Sequence, residues 1–502
     1  MDGGDYRFRH PSYRIGGFAL MSQTQEAVRQ AGTFGSLPVL KNERQWGFAD
    51  FTWVNIGLAI ATWAFLVGGA TANFVGFGPG ILAMIIGNVA GVIIMLLATT
   101  VISSRYGVEQ YTILRSIFGF GGVALIFFTV ITFTEVGWSA LLGAMFGRAT
   151  AQVSNTVFGT TIDPNSILVT VFALVCIAAA WALVAKGPVS IKAFNRVVAP
   201  GLALVTLGLI VFLFTQTTWT DLMAAAPLAP FDDPALNFAI AVEFNLGVAF
   251  SWWPIMGSLG RLTKSPQASL WPAFIGLAIV TIIAQLVGMA SALTLGNWDP
   301  TVWLMTAGGA VFGVIALLFI AFANITSLAS IVYSNTLALR QASGKLFATT
   351  RWEVLAAIFL VPAAIVSFFP GLLYDQFLLF VTFSGAFLSA VCGTVIADYF
   401  VLRKQRINLG ALYAPGSKSR YHFHGGFNLA AMISSLAGVG TYLWLYNPMT
   451  LETQELFNWM TASVPAVAVS FVLHLLLTPV LNSAKSGRGG YELPTELESA
   501  KK

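Results

Sequence analysis

Twelve long apolar runs, separated by polar connections, decide what this chain can become. They fall at about 48–72, 79–102, 121–146, 165–186, 194–215, 234–259, 269–295, 308–340, 352–370, 375–402, 427–447 and 457–482. Each is near the ~20 residues a helix needs to cross the hydrocarbon of a bilayer. None has the alternation of a barrel strand, so the expected fold class is an all-α polytopic membrane protein with 12 transmembrane helices. Composition agrees, because 9% of residues are charged and 57% hydrophobic, whereas about 25% are charged in soluble domains.

The loops carry the orientation. An even number of crossings puts both termini on one side, and of the 26 Lys and Arg only Arg148 falls opposite to them. Asp163, Asp221, Asp232, Asp233, Asp299, Asp375, Glu452 and Glu455 collect on that opposite face. Positive charge stays cytoplasmic, so the chain is expected in the cell membrane with both termini in the cytoplasm. The same distribution accounts for the net charge of +5 without a nucleic-acid partner. The bilayer is the one large partner implied, and no obligate protein partner is inferred.

Two acidic residues, Glu135 and Glu243, lie deep within spans. An ionisable group there costs at least about 2.5–3.5 kcal/mol on insertion scales, so each is a candidate functional residue. Asp398, near the end of its span and close to Arg403, reads as structural. Cys176 and Cys392 read as small buried hydrophobes. His422 and His424 lack a third ligand nearby and read as surface residues. With four His and two Cys, no nucleophile–base or metal constellation emerges, which argues against an enzyme.

The stretch Glu243–Arg261 is apolar yet contains Gly247, Pro254, Gly257 and Gly260, which make a continuous helix hard to sustain. A break at membrane depth must line a protein cavity, because unpaired backbone groups cannot face lipid. The first span has Gly57 midway and Gly68-Gly69 beyond it. Interruptions in the first helix of each five-helix half point to an inverted-repeat transporter with its site near the midplane. Within the sixth span, the opening is expected over Gly247–Ser251, with Trp252-Trp253 assigned to packing or interfacial anchoring.

Several ordered motifs then resemble one family. Ile86–Asn88 (IGN), Ser104–Gly122 (SRYGVEQYTILRSIFGFGG), Val136-Gly137-Trp138, Ser251–Pro254 (SWWP) and Ile396–Ile407 (IADYFVLRKQRI) are similar to the nucleobase–cation symporters, which include cytosine permease and hydantoin permease. The resemblance covers ten helices, from about Trp46 to Tyr413. It implies a leucine-transporter-type five-plus-five inverted repeat with two additional C-terminal helices, working by alternating access. It also implies a Na⁺ site from the carbonyls of Gly57, Ile60 and Ala323 and the hydroxyls of Thr326 and Ser327, a neutral oxygen set suited to a hard cation.

The substrate site implied by the family takes Trp138, whose face can stack on a planar heterocycle, and Glu135 three residues earlier on the same helical face. Relatives of cytosine permease have an amide at the position of Glu135. A carboxylate only accepts hydrogen bonds, which suits a substrate edge with neighbouring N–H groups. Ala61 and Thr62 from the first helix and Gly247, Val248, Ala249, Phe250 and Ser251 from the sixth complete the set. Two departures stand out: Ser258 precedes Arg261 where relatives have Asp, and Asn324 and Asn335 are off the register of the usual eighth-helix amide.

The expected division is a cytoplasmic tail over 1–46, a ten-helix core over 47–403, a cytoplasmic loop over 404–426, helices 11 and 12 over 427–482 and a tail over 483–502. The expected activity is import of a nucleobase or related planar N-heterocycle coupled to Na⁺. A proton-coupled symporter of allantoin, hydantoin or a hydroxymethylpyrimidine is the alternative.

Overall fold

The computed structural model describes residues 34, 37–414, 416–482 and 491. The expected tails over 1–46 and 483–502 therefore lie mostly outside the described residues. Regular structure among the described residues is helical throughout. Among the described residues nine helices are long and apolar enough to span a membrane, and a bent pair taken as one span makes ten candidates. Two shorter apolar helices, Trp352–Val366 and Leu429–Leu445, fall where the ninth and eleventh runs were read.

The bent pair is the first span. α1 (Phe48–Ala59) and α2 (Thr62–Thr71) meet at 54°. The chain leaves helical geometry at Ile60 (φ −98°, ψ 85°) and Ala61 (φ −136°, ψ 176°), three residues beyond Gly57, where the sequence pointed. Gly57 stays helical and is small for another reason: a Cβ there would overlap Asn195 Oδ1 on the fifth span. It is a close-approach glycine.

α3 (Phe77–Ala98) is the second span, and the third comprises α4 (Gln110–Ile126), a π-helical turn at Phe127–Ile131 and α5 (Thr132–Phe158). Gly119, at φ +80°, kinks α4 where the carbonyl of Gly426 approaches too closely for any side chain. Gly121 N–H donates to that carbonyl at 2.8 Å and Asn428 N–H to the carbonyl of Phe118 at 2.9 Å, so the loop before the eleventh span is fastened to the kink.

α6 (Ile167–Ala185) and α7 (Pro188–Gln216) follow, then the sixth span, α8 (Pro234–Phe250) and α9 (Trp253–Gly260). Between them Ser251 (φ −60°, ψ −15°) and Trp252 (φ −78°, ψ −14°) remain close to helical. The two helices part at Ser251-Trp252, at the end of the expected Gly247–Ser251, and the backbone rung from Trp253 to Gly257 just beyond is open as well. α10 (Thr281–Leu295), α11 (Pro300–Ala342), α12 (Phe377–Ile396), α13 (Leu429–Leu445) and α14 (Ser463–Leu481) complete the labelled helices.

Without a hydrophobic drive between helices in lipid, close backbone approach and interhelical hydrogen bonds set the packing. Gly87 and Gly91 of α3 sit against Asn245 and Ala249 of α8, and Gly288 of α10 against the backbone of Phe65 on α2. At the same depth Asn88 Nδ2 donates to Asn245 Oδ1 (3.0 Å) and Gln285 Oε1 (2.8 Å). These contacts tie α2, α3, α8 and α10 into one bundle. α13 and α14 pack on each other and on α12.

Candidate substrate cavity and cation site

A cavity opens where the break in the first span faces α5, α8 and α11. Its walls are Trp63, Glu135, Trp138, Leu142, Val248, Ser251, Trp252, Ile255, Ser327 and Ile331. Each arrives for a local reason. Trp63 opens α2 directly after the break, and its Nε1–H donates back across it to the carbonyl of Leu58 at 3.1 Å. Glu135 and Trp138 share the inward face of α5. Ser251 and Trp252 occupy the turn between α8 and α9, where Ser251 Oγ donates to the carbonyl of Gly247 at 2.9 Å.

The indoles meet edge to face. Trp63 stands at 84° to Trp138 (6.3 Å between centroids) and at 70° to Trp252 (5.3 Å). Behind Trp138, Phe377 and Phe380 of α12 hold the ring at 6.0 and 5.6 Å. Glu135 is 1% exposed, and Asn335 Nδ2 donates to its Oε2 at 2.9 Å. The indole N–H of Trp138 and the Ser327 hydroxyl are buried without a hydrogen-bond partner. Burying such groups unpaired costs roughly 1–3 kcal/mol each, which marks them as groups available to a ligand.

Next to Ser327 along α11, Thr326 brings neutral oxygens together. Thr326 Oγ1 is 3.2 Å from the carbonyl of Gly57 and 2.8 Å from that of Ala323. Ile60 sits at the break, where the helical ladder of α1 stops. These carbonyls and hydroxyls match a monovalent cation in donor chemistry, and Ser327 Oγ provides the orphaned atom such an ion would satisfy. Among the described residues no three His, Cys, Asp or Glu gather in a metal-binding group.

Of the residues expected to touch substrate, Glu135, Trp138, Val248 and Ser251 line the cavity. Ala61, Thr62, Gly247, Ala249 and Phe250 do not. Thr62 accepts from Asn324 Nδ2 at 2.9 Å, Gly247 packs on Val381 and Gly385, and Ala249 on Gly91. Because α8 stays helical through Phe250, only one of its faces meets the cavity. Trp252 belongs to the cavity rather than to interfacial anchoring, whereas Trp253 is fully buried against Tyr111. Asn335, read as off register, pairs with Glu135.

Glu243 lies elsewhere. Its Oε2 accepts from the backbone N–H groups of Ala462 and Ser463, both at 2.9 Å, and its Oε1 from the Ser463 hydroxyl at 2.6 Å. It caps the start of α14. Asp398 is likewise held in a buried network, accepting from Arg403 (2.6 Å), His474 (3.1 Å) and Tyr491 (2.6 Å).

Residues 38–469 match the family described as permease for cytosine/purines, uracil, thiamine, allantoin. The chain belongs to that family. Among its relatives, the purine-uracil permease NCS1 of Arabidopsis thaliana is 22% identical over 80% of this chain and 69% of its own length. The cytosine permease of Escherichia coli O157:H7 is 23% identical over 91% of this chain and 96% of its own. The fold is similar to that of Mhp1, a nucleobase-cation-symport-1 family transporter, in a closed conformation with bromovinylhydantoin bound. That similarity has a TM-score of 0.70 at 17% identity, covering 91% of this chain and 98% of the other. The architecture is therefore the leucine-transporter-type inverted repeat, and the protein is a multi-pass membrane permease rather than an enzyme.

Proposed function

We propose that this permease carries a planar N-heterocycle of nucleobase type across the cell membrane in symport with Na⁺. The observation that carries the reading is Ser327, whose unpaired hydroxyl lines the cavity while the neighbouring Thr326 hydroxyl joins the carbonyls of Gly57 and Ala323. One helical step thus joins the substrate cavity to the oxygen cluster. Na⁺ held by Gly57, Ile60, Ala323, Thr326 and Ser327 would bridge α1 to α11, fixing the break from which Trp63 projects. By linkage, whatever the ion adds to substrate affinity, the substrate returns to the ion.

Trp138 would face the flat ring, Glu135 would accept from its N–H groups and Ser251 would border its edge. The bundle of α1–α3 and α8–α10 would then rock against the remaining core helices, with the termini and basic loops on the cytoplasmic side. The ten-helix core, 47–403, would perform the cycle, with the last two helices as additions.

Proton coupling is the second reading, favoured by a carboxyl group, Glu135, buried in the cavity itself. Uptake of radiolabelled nucleobases into proteoliposomes separates the two. Accumulation is expected with an inward Na⁺ gradient at equal pH; full accumulation in Na⁺-free buffer under a proton gradient would refute Na⁺ symport.

A further inference from the structure

Behind the cavity, three helical faces line a slot. The third span gives it Leu125, Thr129 and Phe133, at the i, i+4 spacing of one helix face. α12 gives Phe383 and Phe387, and α13 gives Leu436. The slot encloses about 600 Å³, whereas close-packed interiors leave few voids larger than a water molecule. Glycine contacts pin the spans at both of its ends. Gly121 and Gly122 of α4 sit against Phe427 and Met432, and Gly137 of α5 sits against Phe380. Gly438 of α13 meets Ala390 of α12 and closes the back. Between the pinned ends lies the π-helical turn Phe127–Ile131, a distortion frequent at functional sites.

Depth and chemistry decide what can enter. Phe383 and Phe387 lie well inside Phe377–Ile396, and Leu436 well inside Leu429–Leu445, so the slot opens at the level of hydrocarbon. Leu125, Phe133 and Leu436 are exposed on its rim, which makes it continuous with the surface that contacts the bilayer. Its hydroxyls are already paired: Thr129 Oγ1 donates to the carbonyl of Leu125 at 2.7 Å, and Ser435 shares a 2.9 Å hydrogen bond with Thr394. The slot therefore asks for no polar partner. From Gly122 to Gly137 the third span rises roughly 20 Å, enough for a chain that reaches about half of the ~30 Å hydrocarbon thickness. A helix of a second copy, about 10 Å across, would be stopped by the contacts at both ends; a flexible chain would not.

The slot also abuts the wall of the substrate cavity. Phe133 packs on Phe380 at 6.0 Å between centroids, and Phe380 on Trp138 at 5.6 Å. We propose that one acyl chain of a bilayer phospholipid occupies this slot and props Phe133 and Phe380 behind Trp138. The membrane then acts on the position of Trp138 through two ring contacts.

The test uses the full chain in phosphatidylcholine nanodiscs in which part of the lipid carries a diazirine on its acyl chain. Crosslinks are expected to concentrate on Phe387 and Leu436 relative to the exposed Val197 and Leu204 of α7. Native mass spectrometry should show one phospholipid retained after extraction into detergent. Thr129→Phe and Val439→Phe narrow the slot from different walls, and each should lose that lipid, so one variant suffices if the other misfolds. In protein labelled with 5-fluorotryptophan, with the Trp138 resonance assigned through Trp138→Phe, stripping the lipid should shift that resonance. Adding phosphatidylcholine should restore it. Crosslinks spread evenly over the slot and α7 overturn the proposal, as do lipid retention by both narrowed variants and an unmoved Trp138 resonance. Dimers without retained phospholipid would put a second copy in the slot and overturn it too.

Discussion

The carboxamide of Gln110 replaces a rung of the sixth span: its Oε1 accepts from Gly257 N–H at 2.8 Å while its Nε2 donates to the carbonyl of Trp253 at 2.8 Å. In an unbroken helix these two backbone groups would pair with each other. Tyr111 Oη adds a bond to the carbonyl of Pro254 at 3.1 Å. An inserted side chain of this kind is one of the few ways a helix opens without exposing polar backbone to lipid. It places the turn at Ser251-Trp252 beside the cavity.

Gln110→Leu leaves both backbone groups without their partner. The expected loss is about 1–3 kcal/mol for each buried group left unpaired, read as a lower Tm in detergent. Gly257→Ala should destabilise as well, because its Cβ would overlap Gln110 Oε1, and overpacking costs about 1–3 kcal/mol. If the two losses are coupled through one rung, the double variant should lose less than their sum. Simple additivity would show that the carboxamide does not hold the opening.

How far the chain was legible follows from the physics of each signal. Hydropathy reports solvent preference, so the apolar runs, and through them the all-helical fold, could be read directly. A break is decided by what satisfies the backbone, and those partners come from distant segments. Gln110 lies 147 residues before Gly257, and Ile60-Ala61 contains neither Gly nor Pro. Trp63 and Asn335 were missed for the same reason: nothing local separates a cavity tryptophan from a packing one. A helical count from Glu135 and Trp138 locates one face of α5, but the residues opposite it depend on how α11 crosses. The glycines that drew attention, Gly57 and Gly247, serve close helix contacts instead.

Ser327→Ala tests the cation cluster with little steric change. The orphaned hydroxyl vanishes, so the protein without Na⁺ should be no less stable, while stabilisation by Na⁺ should need at least ~10-fold more ion, about the 1.4 kcal/mol of one lost ligand. Thermal shift against NaCl, with choline chloride as the ionic-strength control, reads this out. An unchanged Na⁺ titration would remove Ser327 from the ion site.

Glu243→Leu should separate stability from transport. The variant strips the start of α14 of three hydrogen bonds, and loss of a buried, charge-assisted cap is expected to cost about 2–4 kcal/mol. Since Glu243 does not line the cavity, the KM of whatever folded protein remains should stay within twofold of the parent. A large change in KM with unaltered Tm would return Glu243 to the substrate path.

Arg148 is the one basic residue assigned to the acidic face, and the structure gives it a role there. Its guanidinium lies 3.5 Å from Asp299 and 3.8 Å over the ring of Tyr374, whose hydroxyl donates to the same carboxylate at 2.7 Å. Asp299 Oδ1 also accepts from Thr301 N–H at 2.9 Å, capping the start of α11. α5, the start of α11 and the turn before α12 are thus joined at one point, on the face that the distribution of Lys and Arg assigns to the outside. Arg148→Gln removes the charge and keeps a donor, so the fold should persist. The expected effect is a shift towards the outward-open form by about 1 kcal/mol, or roughly fivefold in population. A cysteine introduced at Leu142 in the cavity wall should then react about fivefold faster with a membrane-impermeant maleimide added outside. No change in labelling rate would mean that the Arg148–Asp299 contact is a packing feature and does not weigh on the equilibrium between states.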